Sequence, residues 1–404
     1  MNFVIFSVEF PPKNGAEGFC TARFASALVE FGHSVHVVTL ESPQDVSKTV
    51  VDFLVDSRVR ITRVPHAGTV CNNFARLFYL TTEWTSANYS RIIATLKNVL
   101  KSYEKPILIS RSLPETSHIV AWHCRREAYR WIAHFSDPIP FGNMDGDLRS
   151  ILWGALSKRW VTKAVRDASG ISLTCTDAVR FYDETYGRLF NSKPVHVTRH
   201  IGEPPLPMGG VSIHNRSPRE IQIVHSGSLT GNRGEQQIVT ALDCVNAHGV
   251  RVRFIQVGSC CSRSTAILGG REDVDIKTNI SPDEMASIFA AADISFIPDV
   301  QIELPYIPFM PSKFVYQLFS DKPLLLYSKP GSPMHAYYSR YPEAGLHFAD
   351  YTKPGSLTEA LLELLTEDRR KLNRREIRVG FTREKVISSF VSFVSELLNN
   401  KSGC

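Results

Sequence analysis

Two doubly wound, Rossmann-like α/β domains facing each other across a cleft are the architecture this chain predicts, and three observations carry the prediction. The 404 residues are too many for one compact core and fit two domains of roughly 200 each. Short apolar runs alternate with helical patterns along nearly the whole length, as in a mostly parallel sheet covered on both faces. The alternation pauses once, between Glu203 and Glu220, where Pro204, Pro205, Pro207, Gly209, Gly210 and Pro218 mark a linker.

The first element is the apolar run Phe3 to Val8, a buried strand that stops at Pro11-Pro12. Gly15 and Gly18 flank Ala16-Glu17 in a turn. A helical pattern follows through Phe24, Ala27, Leu28 and Phe31 and ends at Gly32, the residue type that closes helices in the left-handed region. Val35 to Thr39 is a second strand. Strand, glycine turn, helix and strand make a βαβ unit, whose turn lies at the carboxyl edge of the sheet, where open α/β sheets bind ligands.

Further strands are predicted at Val59–Val64, Pro106–Ser110, Trp131–Phe135, Ile171–Thr174 and Val195–Thr198, with helices at Arg91–Tyr103, Ser117–Arg126 and Leu148–Asp167. After the linker come strands at Ile221–His225, Val252–Val257, Asp293–Ile297 and Pro323–Tyr327, and helices at Gln236–His248, Pro282–Ala291 and Pro311–Phe319. The last pattern, Arg383 to Leu398, is apolar over more than one face. The expected division is therefore 1–203, linker 204–219, second domain 220–380, and a terminal helix in 381–404 that packs back toward the first domain.

With 43% hydrophobic and 21% charged residues the composition is that of a globular protein, and the formal charge of +6 is mild. That balance suits anionic small molecules or an anionic membrane surface and argues against nucleic acid, since no basic arm is present. The eight cysteines include no C-x-x-C pair, which reads as free thiols in a reducing compartment. No basic n-region precedes the first strand, and no window approaches the ~20 apolar residues of a membrane span. A cytoplasmic protein is expected, with peripheral contact at the inner face of the plasma membrane.

In order along the chain, several segments resemble one family. Phe10-Pro-Pro-Lys-Asn-Gly-Ala-Glu-Gly18, with Gly32-His-Ser-Val-His-Val-Val-Thr39, looks like an amino-terminal signature. Ile109 to His118 and Trp131-Ile-Ala-His-Phe-Ser-Asp-Pro138 are similar to the next two βα units. Gly227-Ser-Leu-Thr-Gly-Asn-Arg-Gly234, Ala291 to Ile297 and Pro311-Ser-Lys313 resemble landmarks of a donor domain. The chain thus resembles the GT-B glycosyltransferases of family 4, retaining enzymes that use nucleotide-activated sugars. Three departures accompany the likeness. The family's Arg and Lys of the phosphate turn correspond to Ser228 and Arg233, its two glutamates eight residues apart correspond to Pro308 and Tyr316, and its glycine loop reads Gly-Ala-Glu-Gly here.

A departing nucleoside diphosphate gathers negative charge, and a metal-free site meets it with cations, backbone N–H groups and helix N-termini. Arg233, in the turn that opens a helix, and Lys313, at the start of another, are the candidate donor-binding cations, with Ser228 and Tyr316 beside them. Gly15 and Ala16 would bring main chain close to the diphosphate from the first domain. Asp137 and His134, at the end of a strand, are the candidate catalytic pair, the first to orient or deprotonate an acceptor hydroxyl and the second to bond the transferring sugar. No metal or cofactor is expected beyond the nucleotide-sugar donor. Arg125, Arg126, Arg130, Lys97 and Lys101 form either a solvated face or a rim for the anionic lipid of a lipid-linked sugar acceptor. The expected function is transfer of a sugar to a hydroxyl acceptor during assembly of a cell-surface polysaccharide. The alternatives are a non-catalytic scaffold of the same fold and a 2-epimerase acting on a sugar nucleotide.

Overall fold

The structure, a computed structural model, describes residues 1–41, 46, 48–65, 85–112, 115–139, 148–203, 220–278, 280, 282–366 and 372–399; the predicted linker lies outside them. The chain divides into two compact units, Met1–Ile201 together with the chain from Arg383 on, and Gly202–Thr382.

The first unit holds a seven-stranded sheet of β1 (Asn2–Ser7), β2 (Ser34–Leu40), β3 (Arg60–Val64), β4 (Ile107–Arg111), β5 (Arg130–Phe135), β6 (Gly170–Leu173) and β7 (Val195–Val197), in the order β3-β2-β1-β4-β5-β6-β7. Every pairing is parallel, with Phe3 opposite Val35 on one side and Ile107 on the other. Helices cover both faces, so a central strand has no polar side to show: Phe3, Val4, Ile5 and Phe6 are all buried.

The second unit holds β8 (Glu220–Ser226), β9 (Arg251–Val257), β10 (Val274–Lys277), β11 (Ile294–Pro298), β12 (Leu324–Ser328) and β13 (Leu346–Asp350), in the order β10-β9-β8-β11-β12-β13. Its pairings are also all parallel. In each sheet the strand order reverses beside the first strand, between β1 and β4 and between β8 and β11. The carboxyl ends of those strands are where a doubly wound sheet opens a crevice.

The central strands agree with the sequence expectation and the edge elements go beyond it. β10 buries only Val274, and β13 leaves two of its five residues half-buried. Edge strands with one covered side do not produce the continuous apolar run by which a parallel strand is recognised. The helix Thr176–Tyr186 buries Ala178 and Tyr182 alone, and its apolar stripe is correspondingly thin. The helix expected over Pro311–Phe319 runs only from Ser312 to Gln317. Past its end, the guanidinium of the buried Arg374 donates to the carbonyls of Gln317 and Ser320 at 3.3 and 2.9 Å.

The terminal helix Arg383–Asn399 packs on the first unit, which explains its apolar excess. Phe390 meets Phe24 and Phe3 with ring centroids 5.0 and 6.2 Å apart, and Phe393 stacks on His196 at 5.1 Å. A side chain at Gly170 would come within 2.8 Å of both Phe393 and Leu397, so the opening of β6 is kept bare for this helix. Each large apolar side chain buried here contributes about 1.5–3 kcal/mol. Among the described residues no helix is long and apolar enough to cross a membrane.

Candidate functional site

In the second unit, β8 runs into a turn whose glycines are required by shape. Gly227 has φ +123°, and a Cβ there would lie 1.9 Å from Nζ of Lys313. The Lys313 ammonium is therefore packed directly over the main chain that leaves β8. Gly234, at φ +82°, precedes the helix Glu235–Ala247, and its missing side chain makes room for the ring of Tyr327.

Arg233 and Lys313 come together on this carboxyl edge. Nη1 of Arg233 donates to the Pro298 carbonyl at the end of β11 at 3.0 Å. The Lys313 amine is held down to about 8, because burial strips it of water and because the Arg233 cation is near. Two cations crowded into a dry corner make a place where an anion is stabilised. His225, the penultimate residue of β8, lies beside them. Its Nδ1 pairs with Oε1 of Gln256 at 2.6 Å, while its buried Nε2 has no hydrogen-bond partner. Burial holds its imidazole neutral, with Lys313 and Arg233 adding to the effect.

The turn differs from the sequence expectation in one respect. Arg233 was expected to act together with the helix N-terminus behind it, but that end carries its own anion. The Glu235 carboxylate accepts from the backbone N–H groups of Gly231 and Arg233 at 2.8 and 2.9 Å and from the Ser264 hydroxyl at 2.8 Å. Burial works to raise this carboxyl, yet these hydrogen bonds hold it below the ordinary range. The amides of Gly231 and Arg233 are thereby occupied, and the side-chain cations of Arg233 and Lys313 stand beside them.

Asp299, immediately after β11, was not singled out by its sequence. It is fully buried; the Ser328 hydroxyl donates to Oδ2, and Oδ1 has no partner. Burial pushes the carboxyl up to about 7, against the pull of Ser328, Arg233 and Lys329. Ser228 is exposed and its hydroxyl accepts from Ser259 at 2.8 Å. Tyr316 is half-buried and lies one turn beyond Lys313 on the same helix, and Pro308 is buried.

In the first unit, Gly15 stands just before the helix Ala16–Glu30 and Ala16 is exposed. A Cβ on Gly15 would meet a carboxylate oxygen of Glu9 at 2.5 Å, and Glu9 is paired with Lys13 at 2.6 Å. Glu17, inside the same motif, joins Arg111 at the end of β4 across the strand reversal, Nε to Oε1 at 3.2 Å, with Arg111 buried. Burial raises the Glu17 carboxyl to about 8 despite Arg111, and the nearby Asp137 carboxylate adds to the rise. Asp137 is half-buried and sits just beyond β5. The structure thus brings Glu17, Arg111 and Asp137 to one edge. His134 is buried deeper, its Nδ1 bonded to the Ser172 hydroxyl at 2.8 Å, and that hydroxyl donates to Thr198 at 2.6 Å. Its Nε2 has no hydrogen-bond partner, and burial together with the Arg111 cation keeps the ring neutral.

No protein-family model and no curated protein sequence matches the chain. Solved structures match over nearly its full length. A sucrose-phosphate synthase from Thermosynechococcus elongatus superposes with a TM-score of 0.69 at 13% identity, covering 98% of this chain and 99% of that one. HepE of Anabaena, in complex with UDP and glucose, gives 0.65 at 14% identity over 98% and 99%. WaaG, a glycosyltransferase involved in lipopolysaccharide biosynthesis, gives 0.56 at 13% over 99% and 100%. At these identities the likeness shows the fold: two parallel-sheet, Rossmann-like domains of seven and six strands in the GT-B arrangement of elements.

Proposed function

We propose that the chain is a retaining glycosyltransferase of the family 4 type, moving a sugar from a nucleoside-diphosphate sugar to a hydroxyl acceptor in the assembly of a cell-surface polysaccharide. The observation that carries the reading is the nearness of Arg233 to Lys313, whose amine rests on Gly227, at the strand reversal of the second sheet. When the glycosyl–phosphate bond breaks, charge grows on the leaving diphosphate. Two cations already fixed in a water-poor corner stabilise it without reorganising. HepE was solved with UDP, UDP-glucose and glucose, which supports a nucleotide-sugar donor here. In the first unit Asp137 is the group for the acceptor hydroxyl, with Glu17 and Arg111 beside it and His134 behind. The acceptor in this reading is a sugar or lipid-linked sugar, met at the cytoplasmic face of a membrane.

The scaffold alternative keeps one observation in its favour: Pro308 and Tyr316 stand where the resemblance leads one to expect glutamates. A panel of nucleotide sugars, followed by thermal stabilisation and by nucleotide release in the presence of cell-extract acceptors, separates the two. Binding with release of UDP or GDP is the expected result. Stabilisation by none of the donors leaves the scaffold. Arg233→Ala should weaken nucleotide binding about tenfold or more, the loss of one charge-assisted contact.

A further inference from the structure

At the amino edge of the first sheet, opposite the end that carries Glu17 and Arg111, lies a cavity of about 330 Å³ lined by Arg125, Tyr129, Arg130, Asp167 and Ser169. Three elements build it. The helix Thr116–Cys124 ends at Arg125, the helix Leu148–Asp167 ends at Asp167, and Arg130 opens β5.

Both arginines rest on aromatic rings and donate to backbone carbonyls. Arg125 lies over the Trp122 ring at 4.1 Å and donates Nη1 to the Trp122 carbonyl. Arg130 lies over the Tyr129 ring at 4.8 Å and donates to the carbonyls of Tyr129 and Leu397 at 3.0 and 3.4 Å. Among the described residues, Asp167 is the one carboxylate lining the cavity. It is bound by Arg166 at 2.7 Å and by the Trp122 indole at 2.6 Å, with Arg125 at 3.5 Å. Lys193 reaches the Ala168 carbonyl next to it at 3.0 Å, and Lys163 stands 4.6 Å over Trp122. The carboxylate of neighbouring Glu127 is already taken by Lys97 at 3.1 Å.

Arg166 meets the charge of Asp167 and Lys193 meets the helix end at Ala168, each helix end being equivalent to about half a negative charge. Arg125 and Arg130 are the two cations that line the concave surface itself. The crowding is felt by Lys163, whose amine is lowered by burial and then by Arg159 and Arg166. Capping of two helix ends needs fewer cations than are gathered here.

We propose that this cavity is a binding site for a polyol phosphate, the phosphate taken by the guanidinium groups of Arg125 and Arg130 and a hydroxyl of the polyol by the Asp167 carboxylate. Tyr129, 41% exposed at the rim, supplies a flat face for the carbon chain. A free sugar or glycerol phosphate and the headgroup of a phosphatidylglycerol bilayer offer the same chemistry. The site does not depend on the donor reading above, because it lies on the far edge of the first sheet from the residues of that unit used there.

The test is titration of the whole protein with glycerol 3-phosphate by calorimetry, beside sedimentation with phosphatidylglycerol–phosphatidylcholine vesicles. Saturable binding of glycerol 3-phosphate identifies a soluble ligand. Recruitment to the vesicles alone identifies a headgroup. In either case Arg125→Gln and Arg130→Gln, each checked for an unchanged melting profile, should weaken binding at least tenfold. Saturating UDP should leave binding by the wild-type protein unaltered, a control that needs no variant. Failure of both probes at millimolar concentration, unchanged affinity in a folded variant, or displacement by UDP would overturn the assignment.

Discussion

Asp299 gives the sharpest quantitative test, because its carboxyl is fully buried below the Arg233 corner with one oxygen unpartnered. In the unfolded chain an aspartate titrates near 3.8, whereas here burial moves it to about 7. The folded protein thus keeps a proton that the unfolded chain has released. Stability contributed by this residue is complete below about pH 4 and is lost as pH rises toward and through about 7. At 1.36 kcal/mol per pH unit, the step from pH 5 to pH 8 should cost the second unit about 2–3 kcal/mol. Asp299→Asn has nothing to titrate, so its stability should lack that loss. Any constant offset from the altered bond to Ser328 cancels when the variant is compared with itself at the two pH values. Urea unfolding at pH 5 and pH 8, followed by circular dichroism, measures the difference. All five tryptophans precede Val161, so fluorescence reports the first unit and the dichroism is needed for the second. Parallel pH dependence in wild type and variant, within about 0.5 kcal/mol, would refute the argument that burial dominates at Asp299.

Two further outcomes are expected. Glu17→Gln keeps an acceptor for Arg111 and removes a carboxyl that burial raises from 4.5 to about 8; the loss of first-unit stability between those pH values, read by tryptophan fluorescence, should become shallower in the variant, and an unchanged slope would count against a proton on Glu17. Gly227→Ala combines a left-handed backbone at φ +123° with a methyl group 1.9 Å from the Lys313 amine, so it should both lower the melting temperature of the second unit and weaken nucleotide binding. A variant that binds normally would show that the Lys313 ammonium does not need to rest on that glycine.

What could be read from the sequence and what could not divide along physical lines. The strands from Phe3 and Trp131 were legible because a parallel strand covered on both faces must be apolar throughout. Arg233 and Lys313 were legible as candidates because each falls at a turn before a helix, and the structure brings them together. Glu17 is visible in the sequence only as part of its motif, since its partner Arg111 lies at the end of a strand far along the chain. Only the strand order makes them neighbours. Asp299 looked like any residue after a strand; its burial comes from Ser328 and Tyr327 of the adjacent strand, whose hydroxyl and carbonyl hold its side chain and its N–H. The internal bonding of the turn at Arg233 was illegible for a similar reason. Nothing in Gly-Asn-Arg-Gly-Glu tells a reader that the glutamate folds back onto the turn's own amides.

The packing of Arg383–Asn399 on the first unit sets an order for synthesis. The second unit is one uninterrupted stretch, Gly202–Thr382, and is synthesised entire before the last helix of the first unit exists. At 5–20 residues per second, roughly 10–40 s separate Ile201 from Arg383. Throughout that interval Phe3, Phe24 and His196 lack the phenylalanines that cover them in the finished protein. The unit whose synthesis starts earlier is therefore the unit completed later, and a nascent chain arrested before Arg383 carries a sticky, uncovered face that a chaperone can hold.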